Sequence, residues 1–248
     1  MRQTSTGPML IAHRGGSLEA PENTLASFRH AISVGARYVE LDVQMSEDGV
    51  LVVIHDDTVD RTTNGTGPVR DYTYTELKKL DAGSHFAPEY SGETIPTLRE
   101  VLELCAGAGV GVVIEIKSPH LYPGMVEKTV ALLAEMKAQG ARDYWCISFD
   151  HASIRQVRAL DPDVPLGYLY EPTEQMFVYP DDTVQAYCPY YRTALAHPEQ
   201  VQQARDMGKN VLVYTVDDPE DVRRLAEIGV AGMVTDRPGV LLRANILS

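Results

Sequence analysis

The run Tyr38-Val39-Glu40-Leu41-Asp42-Val43 is a β-like apolar stretch interrupted by two carboxylates two residues apart. It is followed by Ser46-Glu47-Asp48-Gly49 and then by a second β-like run, Leu51-Val52-Val53-Ile54. Asp-Gly between two such runs signals a hairpin. A hairpin makes its strands antiparallel, whereas parallel neighbours need a crossover of about a dozen residues or more. The second run therefore returns beside the first and is not a stave of a parallel sheet.

Outward from this point the chain alternates. Further strands are predicted over 9–12, 110–116, 144–148, 166–169, 183–187, 211–216 and 231–235. Helices are predicted over 22–34, 97–106, 125–138, 151–160, 198–207, 219–228 and 238–247. Pro219 and Pro238 sit where a first helical turn tolerates proline. Gly35, Gly140, Gly208 and Gly229 follow helical runs, as C-terminal caps do. Strand–helix alternation reads as parallel α/β. With the returning hairpin strand set aside, eight strands remain, the number in a (β/α)₈ TIM barrel. The length of 248 residues suits such a barrel, which takes about 250 as one unit. Residues 1–248 are thus read as a single domain with an insertion after the second strand, about 44–96. Within it, 56–96 is rich in Asp, Thr, Gly and Tyr, with one short helix over 75–80.

The net charge of −13 disfavours general binding to nucleic acid or anionic lipid. Cys105, Cys146 and Cys188 are widely spaced and odd in number, which argues for reduced thiols and a cytoplasmic location. The polar start, residues 1–8, does not read as a signal peptide, and no run approaches the roughly 18 apolar residues of a membrane span.

In this fold, functional residues lie at the C-terminal ends of strands. Those ends carry His13-Arg14, Glu40 and Asp42, and Glu115 and Lys117. Residues two apart on a strand share a face. Both pairs can therefore face the barrel axis, bringing three carboxylates together. Acids in buried strands must be paired or bind metal. Oxygen donors suit a hard cation, Mg²⁺ or alternatively Ca²⁺; buried ion pairs, such as Glu115 with Arg14, are the competing account. His55 ends the returning strand. A two-residue or four-residue hairpin loop places it opposite Asp42 or Glu40, on the carboxylate face, and a three-residue loop turns it away. After His13-Arg14 come Gly15 and Gly16, which let backbone approach a ligand, and arginine offers a planar fork for phosphate oxygens. Two imidazoles, two cations and a metal site are the parts that phosphodiester cleavage needs.

These residues stand in motifs whose order resembles the glycerophosphodiester phosphodiesterases: His13-Arg14-Gly15, Pro21-Glu22-Asn23-Thr24, Glu40-Leu41-Asp42-Val43, His55-Asp56, Arg61-Thr62-Thr63-Asn64-Gly65, Glu115-Ile116-Lys117, Ser148-Phe149-Asp150, Val213-Tyr214-Thr215-Val216 and Gly232-Met233-Val234-Thr235-Asp236. The resemblance covers nearly the whole chain. It implies Glu40, Asp42 and Glu115 as ligands of one divalent cation, His13 and His55 as the acid–base pair, and Arg14 and Lys117 on the phosphate. It also implies attack by the substrate's own glycerol hydroxyl, with His13 as first base and His55 as acid. Tyr214 departs from the pattern, standing where many relatives carry tryptophan. Phe149 and Tyr214 are candidates for walling a small polar substrate pocket, and core packing is an equal reading of each. The expected partner is a small-molecule glycerophosphodiester, with no nucleic acid and no stable membrane association. Phospholipase D-like cleavage of lysophospholipids, an enolase-type lyase and a binding protein without catalysis are the rival readings.

Overall fold

In the computed structural model, which describes residues 7–141 and 143–244, the alternation closes on itself. Eight parallel strands form a barrel in the order β1 (Met9–Ala12), β2 (Tyr38–Met45), β4 (Gly111–Ile116), β5 (Tyr144–Ser148), β6 (Leu166–Leu169), β7 (Ala186–Cys188), β8 (Asn210–Val213) and β9 (Gly232–Thr235). Strand β1 pairs in parallel with both β2 and β9, which completes the ring. Strand β3 (Leu51–Val53) lies antiparallel on β2, outside the ring.

Side-chain alternation divides the core. Val39, Leu41 and Val43 of β2 are fully buried in the layer between barrel and helices. Inside the barrel, Ile11, Val113, Trp145, Ile147, Leu212 and Val234 form a separate apolar cluster. The outer layer is covered by α1 (Leu25–Ser33), α3 (Leu98–Ala108), α4 (Met125–Ala138), α5 (His151–Leu160), α7 (Pro198–Asp206), α8 (Pro219–Glu227) and α9 (Pro238–Arg243). Thr97 and Glu100 form a reciprocal capping box on α3, and Asp150 and Asp218 cap α5 and α8, each satisfying otherwise orphaned first-turn N–H groups. The short helix of the insertion, α2 (Tyr74–Leu77), is likewise boxed by Thr73 and Glu76.

Several expectations shift. The sixth barrel strand, β7, runs Ala186–Cys188 and not 183–187, and a six-residue helix, α6 (Tyr191–Ala196), stands before α7. It has no side-chain cap, so nothing in the sequence marked its start. The first helix begins at Leu25, because Thr24 is extended and accepts from Ser27 N; Glu22 and Asn23 are thereby left in the loop above the barrel. The end of the helix predicted over 238–247 lies partly outside the described residues, as does most of the 1–8 segment. Among the described residues, no helix is long and apolar enough to cross a membrane.

The hairpin is the main correction. Val43 pairs with Val53, Gln44 with Val52 and Met45 with Leu51. Ser46 N donates to Val50 O at 3.0 Å, and Gly49 is left-handed at φ 77°. This is a three-residue connection, the turn-plus-bulge type that needs a left-handed residue at its end. Its register would turn His55 away from the carboxylates. The chain avoids that outcome by leaving the sheet. Ile54 N still donates to Asp42 O at 3.0 Å, and the backbone then bends across the top of β2. Beyond it, the insertion packs around its own apolar centre, which includes Val52, Ile54, Val59, Val69, Leu77 and Ile95.

Candidate active site

Glu40, Asp42 and Glu115 converge at the C-terminal end of the barrel. One oxygen from each lies within 4.8 Å of the others, and Asp42 is directly across from Glu115 in the parallel register. Their exposures are 2%, 1% and 9%, so water alone cannot solvate three charges. Asp42 Oδ2 accepts from Asn23 Nδ2 at 2.8 Å and faces Arg14 Nε at 3.2 Å. Glu40 Oε2 accepts from the Arg14 backbone N–H at 3.1 Å, and Glu115 Oε1 pairs with Lys117 Nζ at 3.0 Å. Asp42 Oδ1 is buried with no hydrogen-bond partner. Burial and then the neighbouring carboxylates Asp42 and Glu115 hold Glu40 well above the usual carboxylate range. Burial, followed by Asp42, pushes Glu115 up to about 7. Asp42 feels burial too, but Arg14, His55 and Lys117 outweigh it and lower its value. Three hard oxygen donors, mutually repelling and with one oxygen orphaned, fit a divalent cation, whose charge would stabilise all three ionised forms.

Each histidine that the sequence put forward is backed by an acid. His13 Nδ1 lies 2.5 Å from Asp236 Oδ1, and its Nε2 lies 3.9 Å from Glu40 Oε2. Asp236 also accepts from Ser17 Oγ at 2.5 Å. Asp236 is partly desolvated, yet its bonds to His13 and Ser17 bring its value below the ordinary range. His55 Nδ1 lies 2.6 Å from Asp56 Oδ1, and its Nε2 is 3.2 Å from Lys117 Nζ. An ammonium can only donate, so Nε2 is the acceptor there and Nδ1 carries the proton toward Asp56. Burial lowers the His55 value, and the cations Arg14 and Lys117 lower it further against the pull of Asp42.

Behind these groups runs a chain of ion pairs. Arg14 Nη1 donates to Glu22 Oε1 at 2.8 Å, and Arg61 spans Glu22 and Asp56 with bonds of 2.7–3.0 Å. Arg14 itself is left-handed at φ 51°, an unusual conformation for a non-glycine residue and one that clusters at functional sites. Gly15 makes the turn possible: a Cβ there would meet the Ser27 backbone at 2.6 Å. Ser27 Oγ donates to Arg14 O at 2.8 Å, which ties the turn to α1.

These side chains line a cavity of about 240 Å³ that takes in His13, Arg14, Glu40, His55, Glu115 and Lys117. Phe149 and Tyr214 form one wall, edge to face with ring centroids 5.9 Å apart. Tyr214 Oη donates to Tyr170 O at 2.5 Å, and Lys117 Nζ stands 5.9 Å from the Phe149 ring centroid. The deep wall is apolar, made by Ile11, Val113, Ile147 and Leu212. The pocket is thus two-faced, which corrects the small polar pocket expected from the sequence. Asp42 lies outside the cavity lining, reachable through its neighbours.

Sequence reasoning brought out every acid, imidazole and cation that faces the cavity, but it assigned no role to Asp236, Asp56, Glu22, Asn23 or Arg61. All five stand inside motifs quoted above. A charge balance would have pointed to them, because two buried cations and two imidazoles need acidic partners besides Glu40, Asp42 and Glu115.

A protein-family model described as the glycerophosphoryl diester phosphodiesterase family matches residues 13–240. A glycerophosphodiester phosphodiesterase of Caldanaerobacter subterraneus subsp. tengcongensis is 43% identical over 242 residues, which are 94% of this chain and 96% of that one. A glycerophosphodiester phosphodiesterase of Bacillus subtilis is 38% identical, over 93% and 84% of the two chains. Among solved structures, an Oleispira antarctica phosphodiesterase in complex with the product sn-glycerol-3-phosphate superposes with a TM-score of 0.84 at 32% identity, covering 96% of this chain and 97% of the other.

Proposed function

This chain belongs to the glycerophosphoryl diester phosphodiesterase family and is an enzyme that hydrolyses glycerophosphodiesters; we propose that it releases glycerol 3-phosphate and an alcohol, holding one divalent cation on Glu40, Asp42 and Glu115 and moving protons with His13 and His55. The observation that carries this reading is the orphaned Asp42 Oδ1 among three buried acids, beside two imidazoles that each have an acid behind them. The cation is Mg²⁺, with Ca²⁺ as the alternative for an all-oxygen set.

When bound, the cation would offset charge on the non-bridging phosphate oxygens. Arg14 and Lys117 bind the same oxygens, and the Phe149–Tyr214 wall packs on the substrate's carbons. His13 takes the proton of the substrate's own glycerol hydroxyl as it attacks phosphorus. Asp236 holds the ring so that Nε2 faces the cavity and stabilises the imidazolium that forms. His55, once it has taken a proton on Nε2 in place of the Lys117 contact, gives that proton to the departing alcohol; the cations beside the ring make it easy to release. Water then opens the cyclic phosphate with the roles exchanged: His55 accepts the water's proton and His13 returns one to the glycerol oxygen.

The protein works on this reading as one barrel domain acting on a small molecule, in the cytoplasm, where its three buried thiols stay reduced, and without nucleic acid or stable membrane association. The test is turnover of a panel of glycerophosphodiesters that differ in alcohol, before and after dialysis against EDTA and with Mg²⁺ or Ca²⁺ restored. Comparable rates across the alcohols, lost with the metal, are expected. Faster turnover of lysophospholipids or of bis-aryl phosphates would replace this reading.

A further inference from the structure

We propose that Gln44 is a positioning residue for His55, holding the bend that carries the imidazole to the phosphate; this rests on the reading of His55 given above. The argument starts from the hairpin. The three-residue register points position 55 away from the face shared by Glu40 and Asp42, and yet His55 lines the cavity. Something must turn the backbone between Ile54 and Asp56. Gln44 lies on the Glu40–Asp42 face of β2, two residues beyond Asp42, and is fully buried. Its Nε2 donates toward three successive carbonyls, Ile54 O at 3.2 Å, His55 O at 2.9 Å and Asp56 O at 2.7 Å. Three carbonyls pointing at one atom require a curved backbone, since in an extended strand successive carbonyls point to opposite sides. They also settle the amide orientation, because only the NH₂ end can face acceptors.

The other end of the amide is fixed as well. Gln44 Oε1 accepts from Tyr122 Oη at 2.6 Å, and Tyr122 is buried. Tyr122 belongs to the loop after β4, five residues past Lys117. In the same loop Ser118, left-handed at φ 43°, donates to Asp57 Oδ1 at 2.8 Å. Lys117 Nζ meets His55 Nε2 at 3.2 Å. One buried amide therefore joins the strand of the metal acids, the bend of His55 and Asp56, and the loop of Lys117. Gln44 is not itself one of the residues that line the cavity, and its amide bonds run to the bend and to Tyr122. Its effect on the reaction is therefore indirect, and the three bonds to the bend assign it to His55.

A double-mutant cycle separates positioning from plain structural support. Gln44→Met keeps the side-chain length and removes the donor. It should lower kcat by about 10- to 100-fold, the span typical of partners that orient a reacting group. Its loss across leaving alcohols should follow that of His55→Ala and not that of His13→Ala. In the His55→Ala background, Gln44→Met should cost almost nothing further, because residues acting as one unit are non-additive. Affinity for Mg²⁺, read by calorimetry on the folded variant, should stay within a few-fold of the parent. Full additivity with His55→Ala, or equal losses in both histidine backgrounds, would overturn the proposal and leave His55 its role. A His55→Ala variant with undiminished activity would remove the reading of His55 and the proposal with it. Should Gln44→Met fail to fold, Tyr122→Phe, which frees the amide without stripping the carbonyls, enters the same cycle with a smaller expected loss of about 3- to 10-fold and the same non-additivity.

Discussion

His13 Nδ1 and Asp236 Oδ1 meet at 2.5 Å across 223 residues of chain, joining the ends of the first and last barrel strands, which are themselves hydrogen-bonded neighbours. The bond selects the ring orientation: with Nδ1 committed to Asp236, Nε2 is the nitrogen left for chemistry. Asp236→Asn would keep the shape but offer an amide where a carboxylate stood. It should lower kcat by about 10²- to 10⁴-fold, as expected when the partner of a catalytic imidazole loses its charge. Steady-state kinetics at saturating Mg²⁺ check this, and an effect confined to KM would show that Asp236 serves binding instead.

The two histidines should separate by leaving group. A choline or glycerol alkoxide needs a proton to depart, whereas nitrophenolate does not. His55→Ala should lose about 10²- to 10⁴-fold on a natural diester and far less on the glycerol phosphodiester of nitrophenol. His13→Ala should lose similar amounts on both, because the attacking hydroxyl still needs its base. The opposite pattern would exchange the roles of the pair.

Glu115→Gln should weaken Mg²⁺ binding and abolish most turnover. The amide keeps one neutral oxygen donor but removes a charge from a site of three. It also leaves Lys117, 3.0 Å away, without its closest acid. Activity that survives exhaustive dialysis against EDTA in the parent protein would rule out the metal site as an essential part.

Metal-stripped protein should lose stability as pH rises. Burial and then Asp42 raise Glu115 to about 7, while Lys117 and Arg14 pull it down without reversing the shift. Glu40 is raised in the same way. A carboxyl whose folded value exceeds its unfolded value binds its proton more tightly when folded. Its stabilising effect is full below the unfolded value of about 4.3 and is lost as pH climbs through the folded one. The melting temperature of the stripped protein should therefore fall between about pH 5 and 8, and Mg²⁺ should remove most of that fall. Glu115→Gln should flatten the slope. A stripped protein that melts higher at pH 8 than at pH 5 would contradict the account.

The barrel was legible because its signals are local. Apolar runs of four to six residues between capped helices need no tertiary information, and Glu40 with Asp42, or Glu115 with Lys117, declare their shared face by spacing alone. The hairpin was less so. Asp48-Gly49 marks a turn, but whether Glu47 joins the loop depends on the closing bond from Ser46 N to Val50 O, which no spacing shows. His55 was expected on the right side through the wrong register, since the bend that delivers it is made by Gln44, a residue that resembles any polar side chain in a strand. Asp236 and Arg61 escaped because His13 and Glu22 lie 223 and 39 residues from them, although Asp56, the other partner of Arg61, is five residues away. Their acids and bases are read correctly only once the fold has brought them together.

The insertion between β3 and α3 gathers its own apolar side chains apart from the barrel's two layers, and its exchange between relatives can be considered on that basis. A segment with a private nucleus can be transplanted as a cassette without repacking the host. Here the cassette would travel with Asp56 and Arg61 aboard. The joints to preserve at the graft include the Gln44 amide under the incoming backbone, Glu22 across from Arg61 and Ser118 on Asp57. Whole excursions could then be traded in this barrel with Glu40 and Asp42 on β2 and Glu115 on β4 left as they stand.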